Sequence, residues 1–116
     1  MKKTKVFADA YQATIQVFFR TKSFPKALRP TLGRKIEESS IQCMLNLQKA
    51  ETANKNNKIN FLFMASANLD ELRTLIQLSR DLKAINVAVF SELSKLTKEI
   101  GKEIGGFIKY EKNTYR

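Results

Sequence analysis

The sequence predicts an all-α protein, an antiparallel up-down four-helix bundle formed by a single domain over residues 1–116. Three observations carry this reading. Apolar residues recur at three- and four-residue steps through four long segments, which is the period of an amphipathic helix. Only two prolines and four glycines occur in 116 residues, too few breakers for many short strands. Short polar joins separate the segments, and short joins make consecutive helices antiparallel neighbours.

The first helix is expected from about Thr4 to Arg20, with Val6, Phe7, Ala10, Tyr11, Thr14, Val17 and Phe18 on its apolar side. It stops at Thr21-Lys22-Ser23-Phe24-Pro25, because a proline disfavours helical geometry in the residue before it. The second runs from about Ala27 to Ala53. Leu28, Leu32, Ile36, Cys43 and Leu47 trace one face, widened by Ile41, Met44 and Leu45. Pro30 fits only in a first turn, which places the helix start near Arg29. Gly33 inside this helix costs about 1 kcal/mol relative to alanine and suggests a close neighbour. Ser39 and Ser40 are small enough to face either way.

Asn54-Lys55-Asn56-Asn57 reads as a polar turn. The third helix extends from about Lys58 to Lys83 through Ile59, Leu62, Ala65, Leu69, Leu72 and Ile76, at a mean step near 3.5. The fourth runs from about Ile85 to Lys109 through Ile85, Val89, Leu93, Leu96, Ile100, Ile104 and Phe107. That spacing suits helices packed nearly antiparallel. Asn86 is the only turn-prone residue at the third join, so the connection is short or the bend sharp. The tail from Glu111 to Arg116 is polar and expected to fray.

Composition narrows the function. A chain this long buries roughly two-thirds of its unfolded surface without a metal or disulfide staple. The single cysteine, Cys43, cannot form an internal disulfide and reads as a small core residue, in keeping with a reducing, cytoplasmic setting. The start, Met1-Lys2-Lys3, is basic, but Asp9, Gln12, Gln16 and Arg20 punctuate the next stretch, so neither a signal peptide nor a membrane span is expected.

The formal net charge is +10 and unevenly spread. Residues 1–35 hold nine lysines and arginines against Asp9, a net +8, whereas residues 36–116 hold twelve basic and ten acidic residues, a net +2. Such a field attracts phosphates and acidic partners. Arg20, Lys22, Lys26, Arg29, Arg34 and Lys35 succeed one another without an intervening acid. Cations at a helix start oppose the helix dipole, so an external phosphate or acidic partner would favour them there, although plain solubility would also account for them. On the third helix, Arg73, Arg80 and Lys83 fall on one side at separations of 7 and 3. Asp70 can engage Arg73 across one turn, while Asp81 does not face Arg80, leaving Arg80 and Lys83 the less neutralised pair. This stripe serves phosphate or partner binding, a subunit contact, or a solvated face.

Gly101, Gly105 and Gly106 on the fourth helix suggest close helix approach. Phe18 with Phe19, and Phe61 with Phe63, cannot all face one monomer's core, so one of each pair is an interface candidate. Catalysis finds little support. There is no histidine, no metal-ligand cluster, no phosphate-binding glycine loop and no nucleophile beside a base. Glu37, Glu38, Glu99 and Glu103 read as surface salt-bridge partners. No cofactor is expected.

Three blocks in order resemble a known family. Phe24-Pro25-Lys26 through Thr31-Leu32-Gly33-Arg34-Lys35-Ile36-Glu37 is similar to its first hallmark. The stretch from Leu69-Asp70-Glu71-Leu72-Arg73 to Asp81-Leu82-Lys83 resembles its second. Glu99-Ile100-Gly101 with Gly105-Gly106-Phe107-Ile108 resembles its closing segment, with Phe107 in place of the usual tryptophan. The family is the four-helix-bundle group that includes Avd, the accessory variability determinant of diversity-generating retroelements, and proteins encoded in intervening sequences of large-subunit ribosomal RNA genes. The resemblance implies a homopentamer with a basic surface. In the Avd branch it further implies a non-catalytic partner that binds a reverse transcriptase and nucleic acid, RNA or DNA. The blocks are common to both branches, and the positive charge favours the Avd branch. The alternatives are an intervening-sequence-type protein, or a self-assembling structural protein without specific nucleic-acid binding.

Overall fold

The computed structural model describes residues 4–114. Four α-helices and no strand occur among the described residues: α1 (Lys5–Thr21), α2 (Arg34–Thr52), α3 (Lys55–Asp81) and α4 (Val87–Thr114). Each packs against its sequence neighbours, and α4 closes the square on α1. The result is a rod of 49 × 21 × 21 Å. The α1–α2 and α3–α4 connections lie at one end and the α2–α3 turn at the other.

Helix starts are set by side-chain caps, which satisfy otherwise unpaired N–H groups. The Thr4 hydroxyl accepts from the Phe7 N–H at 3.2 Å, Asn54 Oδ1 from Asn57 at 3.0 Å, and Asn86 Oδ1 from Val89 at 2.8 Å. The asparagines that mark turns in the sequence are therefore caps. So α3 begins at Lys55, before the expected Lys58, and α4 at Val87, just after the expected Ile85. At its far end α4 continues through the segment expected to fray, as far as Thr114, and Glu111 is buried.

The second helix is not continuous from Ala27. A 3-10 turn (Lys26–Leu28) leads into a π-helical turn (Arg29–Gly33), and α2 proper starts only at Arg34. Pro30 falls in the first turn of this segment, as expected, where its missing N–H costs nothing. The turn is wide because the Arg34 N–H reaches the Arg29 carbonyl, five residues back, and it also meets the Thr31 carbonyl. Phe24 is buried beneath this segment. A methyl group added at Gly33 would meet Thr21, Phe24 and Leu28 atoms at 3.7 Å, so the expected neighbour is present but in ordinary contact.

The core is the predicted stripe set. Val6, Phe7, Ala10 and Val17 of α1 meet Ile36, Cys43 and Leu47 of α2, with Leu62, Leu69 and Ile76 of α3 and Leu93, Ile100 and Ile104 of α4. Tyr11 lies outside it, and Ala13 takes an inward position. Ser39 and Ser40 both face in. The buried hydroxyls of Thr14, Ser79 and Thr97 each donate to the carbonyl four residues back, at 2.8 Å, which removes the cost of burying them unpaired. Cys43 is a core residue, and burial pushes its thiol up to about 12.

The glycine expectation on α4 holds at one position. Gly101 stands 3.4 Å, measured from an added methyl group, from a Leu69 methyl, but Gly105 and Gly106 have nothing within 4 Å. They lie on an open face. Of the paired phenylalanines, Phe19 and Phe63 turn outward while Phe61 packs against the core. Among the described residues, no helix is long and apolar enough to cross a membrane.

Candidate nucleic-acid interface

The run of cations from Arg20 to Lys35 lies at the end of the rod that carries the α1–α2 and α3–α4 connections. The Phe24-Pro25 break and the π turn fold the connection back against Thr21. This brings Lys22, Lys26, Arg29 and Arg34 around one open cradle of about 760 Å³, completed by Thr21, Pro30 and Glu37. The carboxylate in the cradle is already engaged: Glu37 accepts from the Thr21 hydroxyl at 2.5 Å. Arg29 is aimed by its own backbone, its Nε donating to the Phe24 carbonyl at 2.9 Å. Arg34 pairs with Glu38 one turn on, at 3.2 Å, with both side chains largely exposed. Lys22 lies 5.3 Å from the centre of the Phe19 ring. Four cations from four consecutive local structures thus converge on one concavity, an arrangement suited to a phosphate backbone or an acidic surface.

The remaining candidates are placed differently. Arg20 leaves the cradle and bonds Glu92 of α4 through Nη2 at 2.7 Å and Nε at 2.9 Å, tying α1 to α4. Lys35 sits beyond Arg34, on the rim of a neighbouring groove. Arg80 is not the free charge expected. It pairs with Asp81 at 3.3 Å and lies 4.5 Å over the Phe90 ring, so the adjacent acid does reach it. Lys83 is not on a helical stripe with Arg73 and Arg80. The third helix ends at Asp81, and Lys83 occupies the left-handed region at φ 61°. There the Lys83 N–H donates to the Arg80 carbonyl and the Ala84 N–H to the Ser79 carbonyl, the double closure of a helix C-terminus. Arg73 makes no ion pair with Asp70 among the described residues. It lines a recess between α3 and α4 with Asp70, Gln77, Phe90 and Ser94.

Sequence reasoning did not single out the groove beside the cradle, walled by Leu28, Leu32, Leu75, Leu78 and Leu82. A signal was available. Leu75, Leu78 and Leu82 form a second stripe at steps of 3 and 4, beside the core stripe of Leu69, Leu72 and Ile76.

At the other end of the rod, Lys5 pairs with Asp9 at 2.7 Å and with Glu103. The two carboxylates hold the Lys5 ammonium above its ordinary range, and Lys5 holds Asp9 below its own. Burial raises Glu103. Among the described residues, no group of three or more His, Cys, Asp or Glu side chains is placed to hold a metal ion.

Fold and surface together define a basic, up-down four-helix bundle with a cationic cradle at one end. The chain belongs to the 23S rRNA-intervening sequence protein family, which it matches over residues 2–106. The crystal structure of a protein with unknown function from the S23 ribosomal protein family of Bacteroides thetaiotaomicron VPI-5482 has the same fold. Its TM-score is 0.82 at 19% identity, covering 90% of this chain and 95% of that one. No curated protein matches the sequence significantly. Of the two branches that the sequence blocks resemble, the family match names the intervening-sequence one. It supports the intervening-sequence alternative over the retroelement branch that net charge favoured.

Proposed function

We propose that this protein is a non-catalytic, cytoplasmic RNA-binding factor of the intervening-sequence type, which engages structured RNA through the cationic cradle at one end of its bundle. The observation that supports this most directly is the convergence of Lys22, Lys26, Arg29 and Arg34 on one concavity whose carboxylate is already bonded to Thr21. A phosphate entering there meets Lys22, Lys26 and Arg29, none of which is in an ion pair among the described residues, while Arg34 is already paired with Glu38. Lys35 stands beside the cradle on the rim of the neighbouring groove, while Arg73 lines a separate recess between α3 and α4. Arg20 and Arg80, held by Glu92 and Asp81, contribute less.

Self-association belongs to the same proposal. Tyr11, Ile15 and Phe19 are exposed along one side of α1 at four-residue steps, an apolar stripe of the kind that subunit contacts cover. A homopentamer is what the family resemblance implies. Binding of a reverse transcriptase rests on resemblance to the retroelement branch alone and is the less supported partner.

The test is fluorescence anisotropy with a labelled ribosomal-RNA hairpin and a duplex DNA of equal length, over a series of salt concentrations. The expected result is tight binding at low salt, with log affinity falling linearly against log salt. Absence of binding at low salt would overturn the proposal. Light scattering on the same samples reads the assembly mass.

A further inference from the structure

Beside the cradle lies a second concavity of different chemistry, an open trough of about 560 Å³. Leu75, Leu78 and Leu82 of α3 and its C-terminal cap form one wall, and Leu28, Pro30 and Leu32 the other. Leu78 and Leu82 keep 43% and 49% of their surface exposed, far more than the core stripe of the same helix. The rim is charged: Arg34 and Lys35 stand along it with Glu38, which Arg34 holds at 3.2 Å. Pro30 and Arg34 wall both the trough and the cationic cradle. An apolar site and a cationic site therefore share one ridge, and Lys83 comes directly after Leu82 at the end of the α3 wall.

We infer that this trough docks an acidic amphipathic helix of a partner protein. Apolar residues of that helix at i, i+3 or i+4 and i+7 lie among the leucines, and its flanking carboxylates face Lys35, Arg34 and the cradle cations. The lining favours a peptide over a nucleobase. It is aliphatic, with no aromatic ring to stack a base, whereas burial against leucine is how grooves take the apolar face of a helix. The charge selects an acidic partner. Arg34 and Lys35 line the trough, Lys83 follows Leu82 at its end, and Lys26 and Arg29 line the adjoining cradle, while Glu38, the carboxylate in the trough's lining, is paired with Arg34. Its apolar wall lies outside the cradle, although Arg34 belongs to both concavities.

The experiment uses the full chain and a fluorescein-labelled peptide of about four helical turns, with leucines at i, i+3, i+4 and i+7 and glutamates on both flanks. A scrambled peptide of identical composition is the control. The ordered peptide is expected to bind, and the scrambled one at least about tenfold more weakly. The double variant Leu78→Ser/Leu82→Ser is expected to lose about tenfold or more in peptide affinity, with helicity, assembly mass and RNA affinity unchanged. Arg34→Gln/Lys35→Gln is expected to weaken the peptide and flatten its salt dependence. Four outcomes overturn the inference: no binding of the ordered peptide; equal binding of both peptides, which reports charge attraction alone; a changed assembly mass in the serine variant, which makes the trough a contact between copies; or loss of RNA instead of peptide, which makes it part of the RNA surface.

Discussion

Asn46 on α2 donates its side-chain amide to the Asn68 carboxamide oxygen on α3 at 2.7 Å, within a seam otherwise built from Cys43, Leu47, Ala65, Leu69 and Leu72. A polar pair in an apolar seam fixes one register between two helices, because a slip by one turn would leave both amides unpaired. Asn68→Ala strands the buried Asn46 amide and is expected to cost about 1–3 kcal/mol of unfolding free energy. Asn46→Leu/Asn68→Leu removes both polar groups and is expected to cost less than the single change. Urea unfolding measured by circular dichroism tests both. A double variant less stable than Asn68→Ala would contradict a pairing role.

Lys83 holds its position at a cost in backbone strain. Its φ of 61° brings the side chain close to the next carbonyl, a conflict worth roughly 1–2 kcal/mol that glycine does not have. The hydrogen bonds from Lys83 to Arg80 and from Ala84 to Ser79 hold the turn regardless. Lys83→Gly is therefore expected to raise stability by about 1 kcal/mol with the turn unchanged. A thermal melt reads the gain, and a lowered midpoint would show that the lysine side chain contributes a contact of its own.

These two positions also show where sequence reasoning reaches its limit. The four helices and their antiparallel order are legible from apolar spacing, because that spacing is the core itself. Helix ends shift from their expected places wherever one residue has two readings. Asn54 and Asn86 are both turn formers and caps, and Lys83 is a good helix former that here closes a helix. At the candidate site, the cations from Lys22 to Arg34 are visible as a group because they are close in sequence. Which of them are neutralised is not visible, since the acid that holds Arg20 lies 72 residues away and the ring beneath Arg80 comes from another helix. The trough is half visible in the Leu75, Leu78 and Leu82 stripe. Its other wall depends on the π turn at Pro30.

Cys43 makes stability sensitive to alkaline pH. Burial holds its thiol up to about 12 in the fold, against an ordinary value of 9.0. From about pH 9 upward the unfolded chain loses this proton while the folded chain keeps it, so unfolding becomes more favourable as pH rises. The slope is about 1.4 kcal/mol per pH unit between the two values. Relative to Cys43→Ala, which lacks the group, the native chain is expected to lose stability at that rate above pH 9 and to run parallel below pH 8. Denaturant midpoints across the range test the difference. Equal slopes for the two proteins would show that the thiol ionises without leaving the core.

Charge removal at the basic end separates cations that face outward from those already engaged. Lys26 and Arg29 line the cradle, and neither forms an ion pair among the described residues. Lys26→Ala and Arg29→Ala are each expected to lower the slope of log RNA affinity against log salt by about one, because each removes one displaced counterion, and to weaken all RNA sequences alike. Arg20 is just as basic but is held by Glu92 through two nitrogens, with both side chains about two-thirds covered. Arg20→Ala is expected to leave the salt slope nearly unchanged while costing about 0.2–1 kcal/mol of stability, the range for a partly exposed ion pair. The anisotropy series that measures RNA affinity supplies the slopes, and urea unfolding supplies the stability. A slope that falls as much for Arg20→Ala as for Lys26→Ala would mean that RNA pulls Arg20 away from Glu92, and the cradle would then extend across to α4.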